Sequence, residues 1–576
     1  MANPTCRLIS FLSLLVSALL PGLANAQDTS ATWQSCIQFY QQLDRQSENG
    51  MLIELGKSDQ GRPIHCFVIN KDKVFDPDQW NSDKIVVLIN NNIHPGEPDG
   101  VEASMRLCQA ICTQQKGFDK ILDRVILAVI PMYNVDGAEV RGRYFRANQN
   151  GPVESGFRGN ALNLDLNRDF IKCDSQNALV FSRWFTRIQP HIMVDTHVSN
   201  GADYAYTMTL ITTQSDKLGY VQGHFVRNEM EPVIFERMEK TDYPMSPYVH
   251  TMGRTPESGI EGFLETARFA TGYAALFGTI GFTTETHMLK PFQQRVNATY
   301  VFFEQLLQLT YEKHLDILHQ YAEGRAEMLA QDVIPLHFEL DTSARGSISF
   351  KGYQALEEPA LFGSGQRLRY DRSSAWKSPI PYYSRYTGTD HVKVPDFYVV
   401  PAAWRHVLER LDANRVDCQI LQHDTAMHVR VSYADQFETA KQPYEGHYYH
   451  FNMHMRDTVM LVQFHAGDRI IPTRQWARRF LVQALEPASE EGYFAWNFFD
   501  SMLQQKEWFS DYVFEEIAAE LLKTDAQLQR DFDAAMKADR NLAEDHWSQL
   551  YWVYKHSPYY ERTAFRIPVF RITTPE

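Results

Sequence analysis

The sequence predicts an α/β fold in which a β-sheet lies between helices on both of its faces. Apolar runs of strand length alternate with helical stretches from Lys84 to about Glu285, a pattern typical of α/β domains. These runs are continuously apolar and do not alternate with polar residues, which indicates strands that are buried on both faces. A change of composition after Pro335 predicts a second domain.

The elements of the first domain follow from these patterns in chain order. The predicted strands are residues 85–89, 125–130, 192–194 and 280–284. Asp99 and Glu102 have the spacing of a capping box and predict a helix over residues 100–114. Residues 94–99 would therefore connect a strand end to a helix start, which is where open α/β sheets bind their ligands. A long helical stretch over residues 291–330 closes this domain.

The region after residue 335 combines both types of element. Residues 427–432 and 459–464 have the pattern of strands, and residues 476–486 and 505–545 have the pattern of helices. We therefore expect a first domain over residues 27–334 and a C-terminal mixed α/β domain over residues 335–576, whose role the sequence does not indicate.

The N-terminal residues have the pattern of a secretory signal peptide. Arg7 precedes an apolar stretch over residues 8–20, and Ala24-Asn25-Ala26 supplies a cleavage site. The apolar stretch is shorter than the roughly 20 residues of a membrane-spanning helix. The sequence therefore predicts a signal peptide over residues 1–26, an exported protein that is periplasmic or secreted, and no integral membrane segment after cleavage.

The composition excludes some partners. The formal net charge is −15, which repels the backbone of nucleic acids. The cysteines include no C-x-x-C pair, and an oxidising compartment would permit disulfides whose pairing the sequence does not predict. We expect no nucleic-acid partner, and protein partners and oligomeric state stay open.

Three residues have the composition of a catalytic metal site. His94 and Glu97 are three residues apart after a predicted strand, and His197 follows a later strand. Two imidazoles and one carboxylate, with a fourth position for water, are the ligands of a catalytic zinc ion. The H-x-x-E spacing alone is weak evidence, because it occurs in many polar loops.

Further motifs follow in a fixed order along the chain. They are His94/Glu97, Asn134-Val-Asp-Gly137, Arg158, Asp165-Leu-Asn-Arg168, His197 and Glu285. In this order the chain resembles the zinc carboxypeptidase family, of the carboxypeptidase A type, in an exported, bacterial-like form. The resemblance covers about residues 50–310 and implies a three-layer catalytic domain with a mixed sheet.

The resemblance also implies roles for the motif residues. His94, Glu97 and His197 would bind one zinc ion, and Glu285 would be the general base that acts on water. When a water molecule binds to zinc, its pKa falls to about 7. Such a water molecule can act as the nucleophile in amide hydrolysis at neutral pH.

Other motif residues would bind the substrate. By the resemblance, Asn167 and Arg168 hold the terminal carboxylate of a peptide, and Asp165 accepts a hydrogen bond that orients His94. Arg158 would polarise the scissile carbonyl, although the sequence leaves Arg146 open as an alternative. The sequence therefore predicts a zinc metallocarboxypeptidase that hydrolyses C-terminal peptide bonds.

Alternatives remain at this point. The same residues can serve hydrolysis of a muropeptide or another amide, and an inactive member of the family can serve as a binding module. The tyrosine that the family places over the terminal carboxylate is also not assigned, because Arg268 stands at the matching position. Arg268 favours an acidic terminal residue, whereas the apolar residues 274–277 favour a neutral one.

Overall fold

The computed structural model describes residues 29–115 and 117–573. The predicted signal peptide, residues 1–26, lies outside the described residues. The described chain divides into two compact units. The first unit contains the described residues up to His391 together with Arg410–Arg415 and Trp476–Phe480. The second contains Val392–Glu409, Val416–Gln475 and the described residues from Leu481 onward.

An eight-stranded sheet forms the centre of the first unit. Its strands are β1 (Gly50–Lys57), β2 (Pro63–Ile69), β3 (Ile85–Asn90), β4 (Val125–Ile130), β5 (Ile192–Ser199), β6 (Met208–Thr212), β7 (Met245–Pro247) and β8 (Ile280–His287). Their order across the sheet is β1-β2-β4-β3-β5-β8-β6-β7. The four central strands, β4, β3, β5 and β8, are parallel to one another. Their carboxyl ends therefore meet at one edge of the sheet.

Helices surround this sheet. They are α1 (Trp33–Gln46), α2 (Asp99–Cys112), α3 (Phe118–Ile121), α4 (Val135–Glu139), α5 (Gln176–Ile188), α6 (Tyr220–Phe225), α7 (Glu231–Glu239), α8 (Ala270–Ala275), α9 (Phe292–Glu312) and α10 (His314–Ala330). A π-helical turn, Val226–Met230, joins α6 to α7. The predicted helical stretch over residues 291–330 is confirmed as two helices that meet at Lys313.

Both faces of the sheet are buried. Val87 of β3 and Val129 of β4 belong to one core cluster with Leu107 of α2 and Phe303 of α9. The alternate strand residues point to the opposite face and are equally buried, such as Leu88 at 0% exposure. On that face, aromatic rings of α5 and α8 pack together, among them Phe185 and Tyr273. The predicted α/β fold is confirmed.

The start of α2 differs from the expectation. The prediction of a capping box is wrong, because the N-cap residue is Pro98, which makes no side-chain hydrogen bond to the helix. The carboxylate of Asp99 instead accepts hydrogen bonds from Arg295 at 2.8 and 3.2 Å and from the Thr286 hydroxyl at 2.5 Å. Because Arg295 is fully buried, this ion pair ties α2 to α9 inside the core.

Further strands of the first unit lie outside the main sheet. A long hairpin, Arg345–Pro359 with Gln366–Tyr383, pairs with the short strands Ile260–Glu261 and His250–Thr251. The strand Val333–Leu340 pairs with Tyr386–Lys393, and Arg141–Gly142 pairs with Ser155–Gly156. The first unit thus continues beyond residue 335. The domain boundary at that residue stays a prediction, because compactness alone does not define a domain.

The second unit contains a six-stranded sheet and a helical cluster. Its strands, in sheet order, are Gln419–Ile420, Arg469–Pro472, Phe397–Val400, Phe570–Ile572, Thr425–Thr439 and His450–Phe464. The helices of the cluster are Asp511–Thr524, Ala526–Ala538, Arg540–Glu544 and His546–Lys555, and Phe514, Phe532 and Val553 lie in its core. Two more helices, Arg405–Ala413 and Arg478–Leu485, have residues in both units. The expected mixed α/β character is confirmed.

Two further findings concern membrane-spanning helices and the cysteines of the described residues. In this part of the chain, no helix has both the length and the apolarity needed to cross a membrane. Its six cysteines are free thiols, and burial raises the pKa of the Cys36 and Cys66 thiols well above the ordinary value.

The buried Asp99–Arg295 pair generates a stability prediction. Replacing one partner of a buried pair leaves an uncompensated charge, which costs about 3–5 kcal/mol. We expect Arg295→Met to lower the free energy of unfolding of the first unit by this amount in urea titrations followed by circular dichroism. The control, Arg187→Met, removes a half-exposed ion pair with Asp76 and should change stability little. Equal stability of the two variants would contradict the assigned role of the pair.

Candidate active site

The ends of three parallel strands bring the predicted zinc ligands together. His94 and Glu97 lie in the loop between β3 and α2, and His197 lies near the end of β5. Glu285 of β8 is the direct neighbour of His197 in the strand register. Because β3, β5 and β8 are parallel, all four side chains belong to the same edge of the sheet.

The three ligand candidates face one another at short distances. The Nδ1 atoms of His94 and His197 are 3.2 Å apart, and Glu97 Oε2 lies 3.2 Å from His197 Nδ1. Glu97 Oε1 lies 3.3 Å from His94 Nδ1. All three side chains are buried, with at most 4% exposure. A metal ion can be held by clustered histidine, cysteine, aspartate or glutamate side chains. Among the described residues, these three side chains form such a cluster.

Each histidine is oriented by a carboxylate behind it. His94 Nε2 donates to Asp165 Oδ1 at 2.8 Å, and His197 Nε2 donates to Asp195 Oδ2 at 2.7 Å. Burial raises the pKa of Asp165, but the charges of His94 and Arg158 outweigh burial and hold that pKa well below its ordinary value. The Nδ1 atoms therefore point towards Glu97. Two imidazoles with carboxylate acceptors and one carboxylate ligand fit a catalytic zinc ion.

Glu285 faces the cavity that the three ligand candidates line. Burial is the main cause that raises the pKa of its carboxyl to about 7, and Glu97 adds to it, while His197 and His94 act in the opposite direction. A carboxyl group with a pKa near neutrality is suited to proton transfer at that pH.

Two arginines approach the same cavity from the loop after α4. Arg146 forms an ion pair with Glu97 Oε1 and donates to the Val198 carbonyl at 2.8 Å. Arg158 donates to Asp165 Oδ2 from Nη2 at 2.8 Å and lies 3.5 Å from Glu97 Oε1. Both line the cavity, and the side chain of Arg158 is 47% exposed, against 20% for Arg146. Arg158 is therefore the more accessible of the two to a bound molecule.

Asn167 and Arg168 also line the cavity. A 3-10 turn, Leu166–Arg168, presents both, and the Asp165 side chain caps it by accepting from the Asn167 N–H at 2.9 Å. Asn167 Oδ1 accepts from the Ala270 N–H at 3.2 Å. The Arg168 guanidinium stacks over the Phe269 ring at 4.4 Å. An amide and a guanidinium side by side form a site suited to a carboxylate.

The sequence model of the zinc carboxypeptidase family matches residues 36–187. Over these residues the chain is similar to the zinc carboxypeptidase family. The match includes His94, Glu97, Arg158 and the Asn167–Arg168 pair, whereas His197 and Glu285 lie beyond it.

Curated carboxypeptidases are similar to this chain over longer stretches. Probable carboxypeptidase 2 of Arthroderma benhamiae is 23% identical over 413 residues, which cover 68% of this chain and 71% of the relative. Carboxypeptidase 2 of Trichophyton tonsurans is 21% identical over 459 residues, 76% of this chain and 78% of the relative. A solved metallo-carboxypeptidase from Burkholderia cenocepacia is 17% identical, with a TM-score of 0.37 over 50% of this chain and 70% of that structure.

The cavity is lined or supported by residues that the sequence did not single out. Asp195 is two residues from His197, and this spacing on a strand places both side chains on one face, a usable signal. Tyr248 and Glu265 line the cavity from irregular segments, where no periodicity indicates which way a side chain points. Among the described residues that line the cavity, Phe269 is present and Arg268 is not.

The carboxylates behind the histidines generate a prediction about zinc affinity. Removing the charge of such an acceptor typically weakens metal binding 10–100-fold. We expect Asp195→Asn to reduce zinc affinity by this factor in competition titrations with a chromophoric chelator. Asp83→Asn, at an exposed position, is the control and should bind zinc as the unmodified protein does. Unchanged affinity in Asp195→Asn would mean that Asp195 does not tune the ligand.

Proposed function

We propose that this chain is an exported zinc metallocarboxypeptidase that removes residues from the C-terminal end of peptides. The observation that carries the proposal is the presence of the ligand triad, Glu285 and the Asn167–Arg168 pair on the walls of one cavity of about 240 Å³. Each of these groups has a separate task in hydrolysing a terminal peptide bond. Export rests on the signal-peptide pattern of residues 1–26.

His94, Glu97 and His197 would hold one zinc ion. Bound zinc supplies Lewis acidity, which makes a water molecule acidic near neutral pH and polarises a carbonyl group. Asp165 and Asp195 keep the two imidazoles in the tautomer that leaves Nδ1 available. The ion pair between Arg146 and Glu97 holds the third ligand in place.

Glu285 is the proposed general base. Its carboxylate removes a proton from the attacking water and later delivers that proton to the leaving amine. Its place beside His197 in the strand register brings the carboxylate within reach of the ligand triad. The partly buried environment keeps competing water away from the proton that is transferred.

Arg158 is the side chain that we propose stabilises the developing oxyanion. One edge of its guanidinium is held by Asp165, because Nε at 3.0 Å and Nη2 at 2.8 Å both donate to Oδ2. This leaves Nη1 directed at Glu97 and the cavity. Arg146 uses both terminal nitrogens in contacts with Glu97 and Val198. Arg158 is therefore the better candidate to meet a substrate carbonyl.

Asn167 and Arg168 would make the enzyme an exopeptidase. A free α-carboxylate is present only at the end of a peptide, and a guanidinium next to an amide binds it through charge-assisted hydrogen bonds. Because Phe269 and Ala270 fix the positions of Arg168 and Asn167, the pair selects the terminal residue by position. Muropeptides and other amides with a free carboxylate satisfy the same geometry.

Replacing Glu285 tests the proposed base. We expect Glu285→Gln to lower kcat on blocked dipeptides by at least about 100-fold, because general base catalysis contributes about 10²–10⁴-fold. Zinc content, measured by atomic absorption, should stay at one ion per chain. The control Glu257→Gln, at an exposed position, should retain full activity. The proposed mechanism is wrong if Glu285→Gln hydrolyses substrate at the unmodified rate.

Replacing Arg168 tests exopeptidase action. We expect Arg168→Met to lower kcat/KM for peptides with a free C-terminus about 10–150-fold, the range for loss of a hydrogen bond to a charged group. The same peptides with an amidated C-terminus should be poor substrates of both proteins, at equal rates. Arg183→Met, exposed on α5, is the control. Equal hydrolysis of free and amidated peptides by the unmodified protein would contradict carboxylate recognition.

A further inference from the structure

A buried carboxyl group on the cavity wall has no part in the proposed hydrolysis. Glu265 lies in the segment before α8, and only 6% of it is exposed. It lines the same cavity as Glu285 and Arg168. Acidic side chains are almost never buried to this degree unless they are paired.

Among the described residues, the Glu265 carboxyl group is hydrogen-bonded to a neutral group, and it forms no ion pair. Both of its oxygens are 3.3 Å from the Thr283 hydroxyl, which has one proton to donate. The Lys217 ammonium group donates to the backbone carbonyl of Glu265. At least one carboxyl oxygen is therefore left for a molecule in the cavity.

The surrounding charges favour a cation at this place. Burial is the largest cause that raises the pKa of Glu265 to about 8, and the carboxylates of Asp195 and Glu285 raise it further. His197 and Lys217 act in the opposite direction. The net effect raises the pKa, so this buried carboxyl is costly to ionise, and a cation bound beside it would offset that cost.

The segment from Glu265 to Ala270 connects this carboxyl group to the carboxylate-binding pair. In this segment, Phe269 stacks on the Arg168 guanidinium, and the Ala270 N–H donates to Asn167 Oδ1. The cavity wall on this side also includes the apolar side chains of Ile211 and Phe263. A residue whose α-carboxylate is bound by Arg168 would thus place its side chain among apolar groups, with Glu265 as an acidic group on the wall.

We propose that Glu265 determines the specificity for the terminal side chain and that the protein prefers peptides that end in arginine or lysine. This inference rests on the proposed carboxypeptidase function. Long side chains with a cationic end have an apolar stem, which suits Ile211, Phe263 and Phe269, and a charge, which suits Glu265. The sequence offered Arg268 and the apolar residues 274–277 as indicators of the preferred terminal side chain. Neither of them lines the cavity among the described residues, and residues 274–277 are buried in the core.

Matched substrates test the proposal on the unmodified protein. Citrulline has nearly the shape of arginine without its charge, so blocked dipeptides ending in arginine and in citrulline isolate the effect of charge. We expect kcat/KM to be at least about tenfold higher for arginine, since a hydrogen bond to a charged group exceeds a neutral one by this order. Dipeptides ending in leucine and glutamate complete the series and should be hydrolysed more slowly still.

A conservative variant assigns the preference to one residue. Glu265→Gln keeps the size of the side chain and its contact with Thr283. We expect it to lower kcat/KM for arginine and lysine substrates about 10–100-fold and to leave the citrulline and leucine substrates within about threefold. Glu261→Gln, a nearby carboxyl that pairs with His250, is the control and should keep the preference for arginine. Zinc content and melting temperature verify that both variants are folded.

The outcomes separate this proposal from the function on which it rests. Equal hydrolysis of the arginine and citrulline substrates, or an unchanged preference in Glu265→Gln, overturns the role of Glu265 and leaves carboxypeptidase action intact. If no substrate in the series is hydrolysed by the zinc-loaded protein, both the proposed function and the specificity fail.

Discussion

The site depends on the parallel pairing of β3, β5 and β8. Their carboxyl ends meet at one edge of the sheet, so residues that are far apart in sequence become neighbours. The register places Glu285 beside His197, and Asn90 at the end of β3 beside Asp195. A shift of one residue in this register would turn His197 and Glu285 to the opposite face. The buried residues of both faces, which fix that register, are thus as necessary to the site as its ligands.

The second constraint is the compensation of buried charge. Asp165 and Asp195 each accept a hydrogen bond from a histidine, and Glu97 is paired with Arg146. The Asp99–Arg295 pair follows the same rule in the core. Glu265 is the exception on the cavity wall, because among the described residues its carboxyl group is hydrogen-bonded to the neutral hydroxyl of Thr283. This contrast is what makes a cationic substrate side chain the natural complement of the cavity.

The sequence predicted those parts of the structure that depend on local pattern or ordered motifs. Continuous apolar runs predicted the buried parallel strands, and the order from His94 to Glu285 predicted which residues share the cavity. The capping box at Asp99 was wrong because a distant arginine competes for its carboxylate, a tertiary contact that spacing does not reveal. Tyr248 and Glu265 could not be predicted, since the irregular segments that carry them have no periodicity. The hairpin over residues 345–383 belongs by contacts to the first unit, although its composition resembles that of the following region.

The central claim is that the ligand triad and the carboxylate-binding pair act together on the C-terminal end of a peptide. It is tested most directly by mass spectrometry of a peptide mixture incubated with the zinc-loaded protein, with the chelated protein and with the chelated protein after zinc is returned. The account predicts successive loss of single residues from the C-terminus, abolished by chelation and restored by zinc. Internal cleavage, loss of residues from the N-terminus, or C-terminal loss that is insensitive to chelation would contradict it.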